Sequence, residues 1–485
     1  MTTLKICSYF EKFLLSHFLL YTFINLLFLI FFLNFSEAPK NYFLISFLLS
    51  LVLYEITLRI ILLYTYGKDF RNKFYSPILK ENHKFGFIYS SNFSFKKYKK
   101  KIFEKWAYYN NQIEINNDVS DDELNRNLTI FNTDEFGFRN KKIYKSKELI
   151  FCIGGSTTAC NNCDDNETWP QVLERSLQKK YPNLQIINSG VQAWYSYNNL
   201  LKIKLDILKF KPKAIIIHQG WNEEFVFSSL NLGKQWSPNI LRNFLDSNIF
   251  YKKTGFWPTK NFHKYSYSFF LIKRIFYWNR FFKNMNFSNP ERWLMLKKDD
   301  YLKNWVNNIK EIVSIANENN IHIFFVDPPC LVERSDSVDD RKIYIESSRL
   351  NKWYAMYQSI SSYRISLVLE KLNKYIPVIK TKECFEGYTG KDRLGLFHDE
   401  IHLTSTGNEL LGKFISKKLI QNKNFEKVLS KSILNSSVHY KNINSIDTSN
   451  TDLIDFEINQ IINILSNSKK QSKKNLIPDD RYTTF

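Results

Sequence analysis

The chain has 485 residues, of which 44% are hydrophobic, 16% aromatic and 24% charged, with 14 Gly and 12 Pro. This excludes disordered, collagen-like and Pro/Gly-rich low-complexity classes, and no fixed-period repeat marks a solenoid. Lys and Arg outnumber Asp and Glu by 68 to 47, a net charge of +21, which raises nucleic acid or an anionic membrane surface as a partner. The excess of Lys is spread along nearly the whole chain and no nucleic-acid module accompanies it, so no nucleic acid is expected.

In chain order, the first element is an apolar run from Phe13 to Phe35, FLLSHFLLYTFINLLFLIFFLNF, long enough to cross a bilayer and free of Asp, Glu, Lys and Arg. It ends in large aromatics, unlike a cleaved signal peptide. A second run, Tyr42 to Tyr66, holds Glu55 and Arg59 at a spacing that pairs them on one helix face. Both are expected to be transmembrane helices (about 13–35 and 42–66, within a 1–75 segment). Lys5, Lys12, Lys68, Arg71 and Lys73 flank the pair and only Lys40 lies between. The positive-inside rule therefore predicts a double-pass membrane protein with both ends, and so the remainder of the chain, on the cytoplasmic side. Residues 76–146 read as a basic linker and lead-in; within them KKYKKKIFEKW, Lys96 to Trp106, suits either anionic headgroups or solvent.

From Lys147 the pattern alternates. Strands are expected at ELIFCI, LQIIN, AIIIHQ, IHIFFVD and PVI. Helices are expected through WPQVLERSLQKK, NNLLKIKLDILKF, 353–375 and 405–420. Short continuous apolar runs between amphipathic helices are the mark of parallel strands buried on both faces, so residues 147–424 predict an α/β, three-layer, doubly wound parallel sheet. An aromatic and basic insertion at about 225–300 reads equally as a lid, an interfacial helix or a buried core helix. Residues 425–485 read as a polar, largely disordered tail with one possible helix at 453–465.

Four groups in this region suit nucleophilic catalysis. Ser156 follows the first strand in GGST, where Gly154 and Gly155 permit a sharp turn at the carboxyl edge of the sheet. Asp399 lies three residues before His402, a spacing that lets the carboxylate fix the imidazole while its other nitrogen faces a serine. Gly190 in NSG and Asn222 in GWNE follow the second and third strands and are candidate donors to an oxyanion, beside the Ser156 N–H. Taken singly, each also reads as a turn or capping residue. His218, His322 and His398 compete for the base, but only His402 has an Asp at this spacing. The six cysteines do not form a disulfide framework, and the lone CxxC pair, Cys160 and Cys163, lacks partners for zinc.

With GGST, NSG, GWNE and DEIH in this order, and with TDEFGFRN (Thr133 to Asn140) upstream, the chain resembles the SGNH (GDSL-like) hydrolases over about residues 130–421. The resemblance implies a flavodoxin-like sheet and serine ester hydrolysis or acyl transfer. Ser156 would be the nucleophile, His402 the base and then the acid, and Asp399 its orienting carboxylate. Ser156 N–H, Gly190 N–H and Asn222 would form the oxyanion hole. It departs from the family pattern in reading Gly-Gly-Ser for Gly-Asp-Ser and Gly-Trp-Asn-Glu for Gly-x-Asn-Asp. No cofactor and no metal are implied. The expected partners are the membrane and an ester-bearing small-molecule, glycan or lipid substrate. The rival expectation is a catalytically idle SGNH fold that binds or scaffolds in an envelope polysaccharide assembly complex.

Overall fold

The computed structural model describes residues 131–139, 142–144, 146–223, 290–296, 300–347 and 352–429, short stretches at 52–57, 79–82, 86–89 and 91–93, and a few single helical positions. Nearly all of the first apolar run, more than half of the second, most of the insertion and nearly all of the tail lie outside the described residues. Among the described residues no helix is long and apolar enough to cross a membrane. The chain divides into two compact units, and the larger, Lys80–Lys99, Asp118–Leu241 and Asn286–Phe485, contains the sheet.

That sheet has five parallel strands, β3 (Glu148–Gly154), β4 (Leu184–Asn188), β5 (Ala214–His218), β6 (His322–Val326) and β7 (Val378–Ile379), in the order β4-β3-β5-β6-β7. Ile150 of β3 pairs with Ile186 on one side and Ala214 on the other. The interior of β3 and the whole of β4 and β5 are buried, which is why their sequences are unbroken apolar runs. With right-handed crossovers, the reversal of strand order places helices on both faces. α2 (Trp169–Gln178) packs with α10 (Ser405–Gln421), and α3 (Ser196–Leu205) with α5 (Asp300–Glu318). The remaining helices are α1 (Ser156–Ala159), α4 (Pro290–Leu296), α6 (Val338–Glu346), α7 (Lys352–Leu372), α8 (Lys382–Phe385), α9 (Gly390–Leu394) and α11 (Lys423–Leu429). The insertion read as ending near 300 thus contains helix α4, and the region read as tail starts inside α11.

Strand order reverses between β3 and β5, and doubly wound folds place their ligands beyond the carboxyl ends of the strands at such a reversal. Ser156 follows β3 and Asn222 follows β5.

Residues 80–99 and 118–146 of the lead-in are part of this same unit. A small two-stranded ribbon, β1 (Leu79–Asn82) and β2 (Gly86–Tyr89), precedes the segment 131–139. Asp134 closes that segment by accepting the N–H groups of Phe136 and Phe138, each at 2.9 Å. Gly137 has φ of 81°, and a Cβ there would stand 2.6 Å from the Tyr89 carbonyl oxygen, so only glycine fits. Phe138 in turn packs edge-on against Phe151 of β3, with ring centroids 5.5 Å apart.

α10 approaches α2 equally closely. A Cβ on Gly412 would come within 2.7 Å of both the Trp169 carbonyl oxygen and Val172 Cβ. In an exposed helix Gly→Ala gains about 1 kcal/mol. Here overpacking reverses the sign, and Gly412→Ala is expected to cost about 1–3 kcal/mol. The check is the midpoint of denaturant unfolding, and an unchanged or raised midpoint contradicts this packing.

Candidate active site

Ser156 opens α1, a helix of only four residues that ends at Cys160 in the left-handed region, with φ of 51°. So short a helix leaves its last carbonyls without intrahelical partners. Each is met by a side chain from elsewhere. Trp169 Nε1 donates to Thr157 O at 3.2 Å and Asn188 Nδ2 to Thr158 O at 2.9 Å. Arg139 Nη1 donates to Ala159 O at 2.5 Å and also to Cys160 O, while Nη2 reaches Cys163 O. The Arg139 side chain is fully buried; its Nε pairs with Asp165 at 3.1 Å and its guanidinium lies 4.4 Å from the centre of the Phe131 ring. The Gly-Phe-Arg block of the lead-in therefore ends in the residue that anchors the turn carrying Ser156.

Asp399 and His402 lie in a loop closed by an antiparallel bridge between Phe397 and Leu403. The Asp399 carboxylate accepts the backbone N–H groups of Ile401 and His402 at 3.0 and 2.8 Å and faces His402 Nδ1 at 2.8 Å. Burial alone would push this carboxyl up. The neighbouring His402 and the two N–H groups outweigh that and hold it well below the usual carboxylate range. His402 Nε2 stands 2.8 Å from Ser156 Oγ. Asp399, His402 and Ser156 thus form one continuous hydrogen-bonded array, with Nδ1 protonated and Nε2 facing the hydroxyl.

Asn222 follows β5, and its Nδ2 donates one hydrogen to Trp194 O at 2.8 Å. Among the described residues the second amide hydrogen meets no acceptor, which leaves it for a ligand. A Cβ on Gly155 would sit 2.5 Å from Asn222 Nδ2, so the Gly-Gly-Ser departure makes room for this amide. Glu223, the other departure, is buried, and its carboxylate accepts the Ser196 N–H at 2.5 Å and the Ser196 hydroxyl at 2.9 Å, at the positive end of α3. The longer arm therefore ties the Asn222 turn to α3.

Gly190 is placed differently from its expected role in the oxyanion hole. Its N–H is donated to Asn188 Oδ1 at 3.1 Å, and a Cβ on it would lie 2.5 Å from Ala159 N, so glycine is needed there for packing behind α1. The turn that follows offers another donor. Ala193, half-buried, has φ of 60°, and its N–H donates to nothing among the described residues.

The competing histidines lie elsewhere. His218 is fully buried between the edges of Trp169 and Trp221, and desolvation lowers it to about 3, so it stays neutral. His322 begins β6, at the end of the sheet opposite Ser156, and His398 donates its backbone N–H to His402 O. Cys160 and Cys163 are buried free thiols, and burial pushes both up. Among the described residues no group of three or more His, Cys, Asp or Glu is placed to hold a metal.

No family model matches the chain, and no curated protein does. Solved structures similar to it include a GDSL-like lipase from Bacteroides thetaiotaomicron (14% identity, 59% of this chain and 92% of that one, TM-score 0.29). An acetylxylan esterase from Geobacillus stearothermophilus is also similar (12%, 57% and 96%, TM-score 0.31). A third is the lipase/acylhydrolase from Enterococcus faecalis (14%, 56% and 95%, TM-score 0.30).

Burial raises the Glu223 carboxyl from 4.5 to about 8, with the two Ser196 hydrogen bonds opposing. The folded protein then keeps a proton that the unfolded chain releases near pH 4.5. Stability from this group is complete below pH 4.5 and is lost as pH rises toward 8. Glu223→Gln, which keeps the shape without the titration, is expected to gain on the parent in thermal midpoint between pH 5 and 8. A pH-independent difference between the two proteins contradicts the shift.

Proposed function

We propose that this chain is a membrane-anchored serine ester hydrolase of the SGNH type. The observation that carries the proposal is the Asp399–His402–Ser156 array, whose spacings are those of hydrogen bonds in working order. Ser156 Oγ attacks an acyl carbonyl while His402 Nε2 takes its proton, and Asp399 stabilises the imidazolium and holds its tautomer. The negative charge on the former carbonyl oxygen is met by the Ser156 N–H, the second hydrogen of Asn222 Nδ2 and the Ala193 N–H, which takes the place expected of Gly190. His402 returns the proton to the leaving alkoxide. A water molecule, or an acceptor hydroxyl in the case of transfer, then releases the acyl group by the same steps in reverse.

The anchor is supported by what is described of the second apolar run. Ile45, Leu49, Val52, Leu53, Ile56 and Ile60 are helical and between 46% and 62% exposed. An uncovered apolar helix of this kind is at home in lipid rather than water. The charges flanking the two runs favour a cytoplasmic catalytic unit. A tethered esterase suits O-acyl groups on glycans or lipid-linked acceptors near the bilayer.

The test is ester hydrolysis by the full chain in detergent, with parent and Ser156→Ala compared on acetyl and longer acyl esters. Loss of the serine is expected to lower kcat by about 10⁴-fold or more. Equal turnover by the two proteins would overturn the reading.

A further inference from the structure

We infer that Tyr89, in the ribbon before the sheet, is a positioning residue for the oxyanion turn; the inference rests on the esterase reading above. The Tyr89 side chain is 1% exposed although its hydroxyl reaches two separate loops. It accepts the backbone N–H of Gln192 at 3.1 Å and donates to Asn161 Oδ1 at 2.8 Å. Asn161 Nδ2 closes the ring by donating to Gln192 Oε1 at 3.1 Å.

The two loops joined in this way are the parts of the site that must keep register. Asn161 directly follows Cys160, whose carbonyl Arg139 holds at the end of the nucleophile helix. Gln192 directly precedes Ala193, so holding the Gln192 N–H restricts where the next peptide, which carries the Ala193 N–H, can lie. Trp194, one residue further, presents its carbonyl to Asn222 Nδ2. The Gln192–Trp194 turn thus governs two donors, its own N–H at Ala193 and the amide of Asn222. Its positive φ at a non-glycine residue is a conformation that a free loop would leave. Tyr89 is itself held from behind. Its ring packs edge-on on Phe131 at 5.1 Å, and its backbone carbonyl is met by the glycine at 137.

The bridge touches neither a substrate acyl group nor Ser156, so its contribution lies in the geometry of the turn. A shift of about 1 Å in a catalytic group costs up to 100-fold in rate. Tyr89→Phe keeps the ring and its packing and removes only the hydroxyl.

The experiment compares full-chain parent, Tyr89→Phe and Asn161→Ala in detergent. It measures kcat and KM for p-nitrophenyl acetate, the inhibition constant of butylboronic acid, whose tetrahedral serine adduct needs the oxyanion donors, and the thermal midpoint. Expected for Tyr89→Phe is a fall in kcat of about tenfold or more, an equal weakening of boronate inhibition, and KM within about twofold of the parent. Asn161→Ala, which removes the acceptor at the half-exposed end of the bridge, is expected to change both quantities in the same direction, and it carries the test if Tyr89→Phe does not fold. An active parent matched in kcat and boronate affinity by both variants overturns the bridge alone. A fall in kcat without weaker boronate inhibition overturns it as well. A parent with no Ser156-dependent turnover overturns the esterase reading and the bridge together.

Discussion

A four-residue helix cannot satisfy its own carboxyl end, and α1 carries the candidate nucleophile on such a helix. Each carbonyl left unpaired in a buried site costs about 1–3 kcal/mol. Trp169, Asn188 and Arg139 meet those of Thr157 to Cys160, and they come from three different parts of the chain. The rest of the fold is arranged around these partners. β4 must end where Asn188 reaches Thr158, α2 must begin where the Trp169 indole reaches Thr157, and the segment 131–139 must lie against β3 for Arg139 to enter. In exchange, Ser156 is held at the tip of β3 by contacts that leave its hydroxyl facing His402 and, among the described residues, leave its N–H without an acceptor.

The same logic extends to the candidate base, His402. Asn408 of α10 donates to Leu403 O and Thr404 O, directly after His402, and to Cys163 Sγ, while its Oδ1 accepts from Cys160 Sγ. One buried amide thus joins the loop bearing His402 to the loop that follows Ser156. The close approach of α10 to α2 at Gly412 and the capping of α10 by Thr404 bring that amide into place. The buried thiols, which could have suggested redox or metal chemistry, act here as small partners in this junction.

What the sequence disclosed follows from how local each signal is. The five strands were legible because burial on both faces writes an unbroken apolar run. The pairing of Asp399 with His402 was legible because three residues separate them in one loop. Ser156 was placed by its position after a strand and two glycines. Gly190 was misread because a glycine after a strand looks like a backbone donor. Its constraint is instead contact with Ala159, and the donor proposed in its place is Ala193, where an unremarkable residue type conceals a positive φ. Tyr89, Arg139 and Asn408 act across long stretches of chain, and no spacing rule marks such contacts. Glu223 departs from the family pattern in sequence, and its structural reason is the Ser196 N–H at the amino end of α3, a contact 27 residues away.

The central claim is that this scaffold makes Ser156 the nucleophile through His402. The most direct measurement is to treat the full-length protein with a fluorophosphonate, in which the serine oxygen displaces fluoride, and to map the adduct by peptide mass. The account predicts one adduct, on Ser156, formed by the native protein and lost both in urea and in His402→Ala. No adduct on the native protein, or an adduct on another residue, would contradict it.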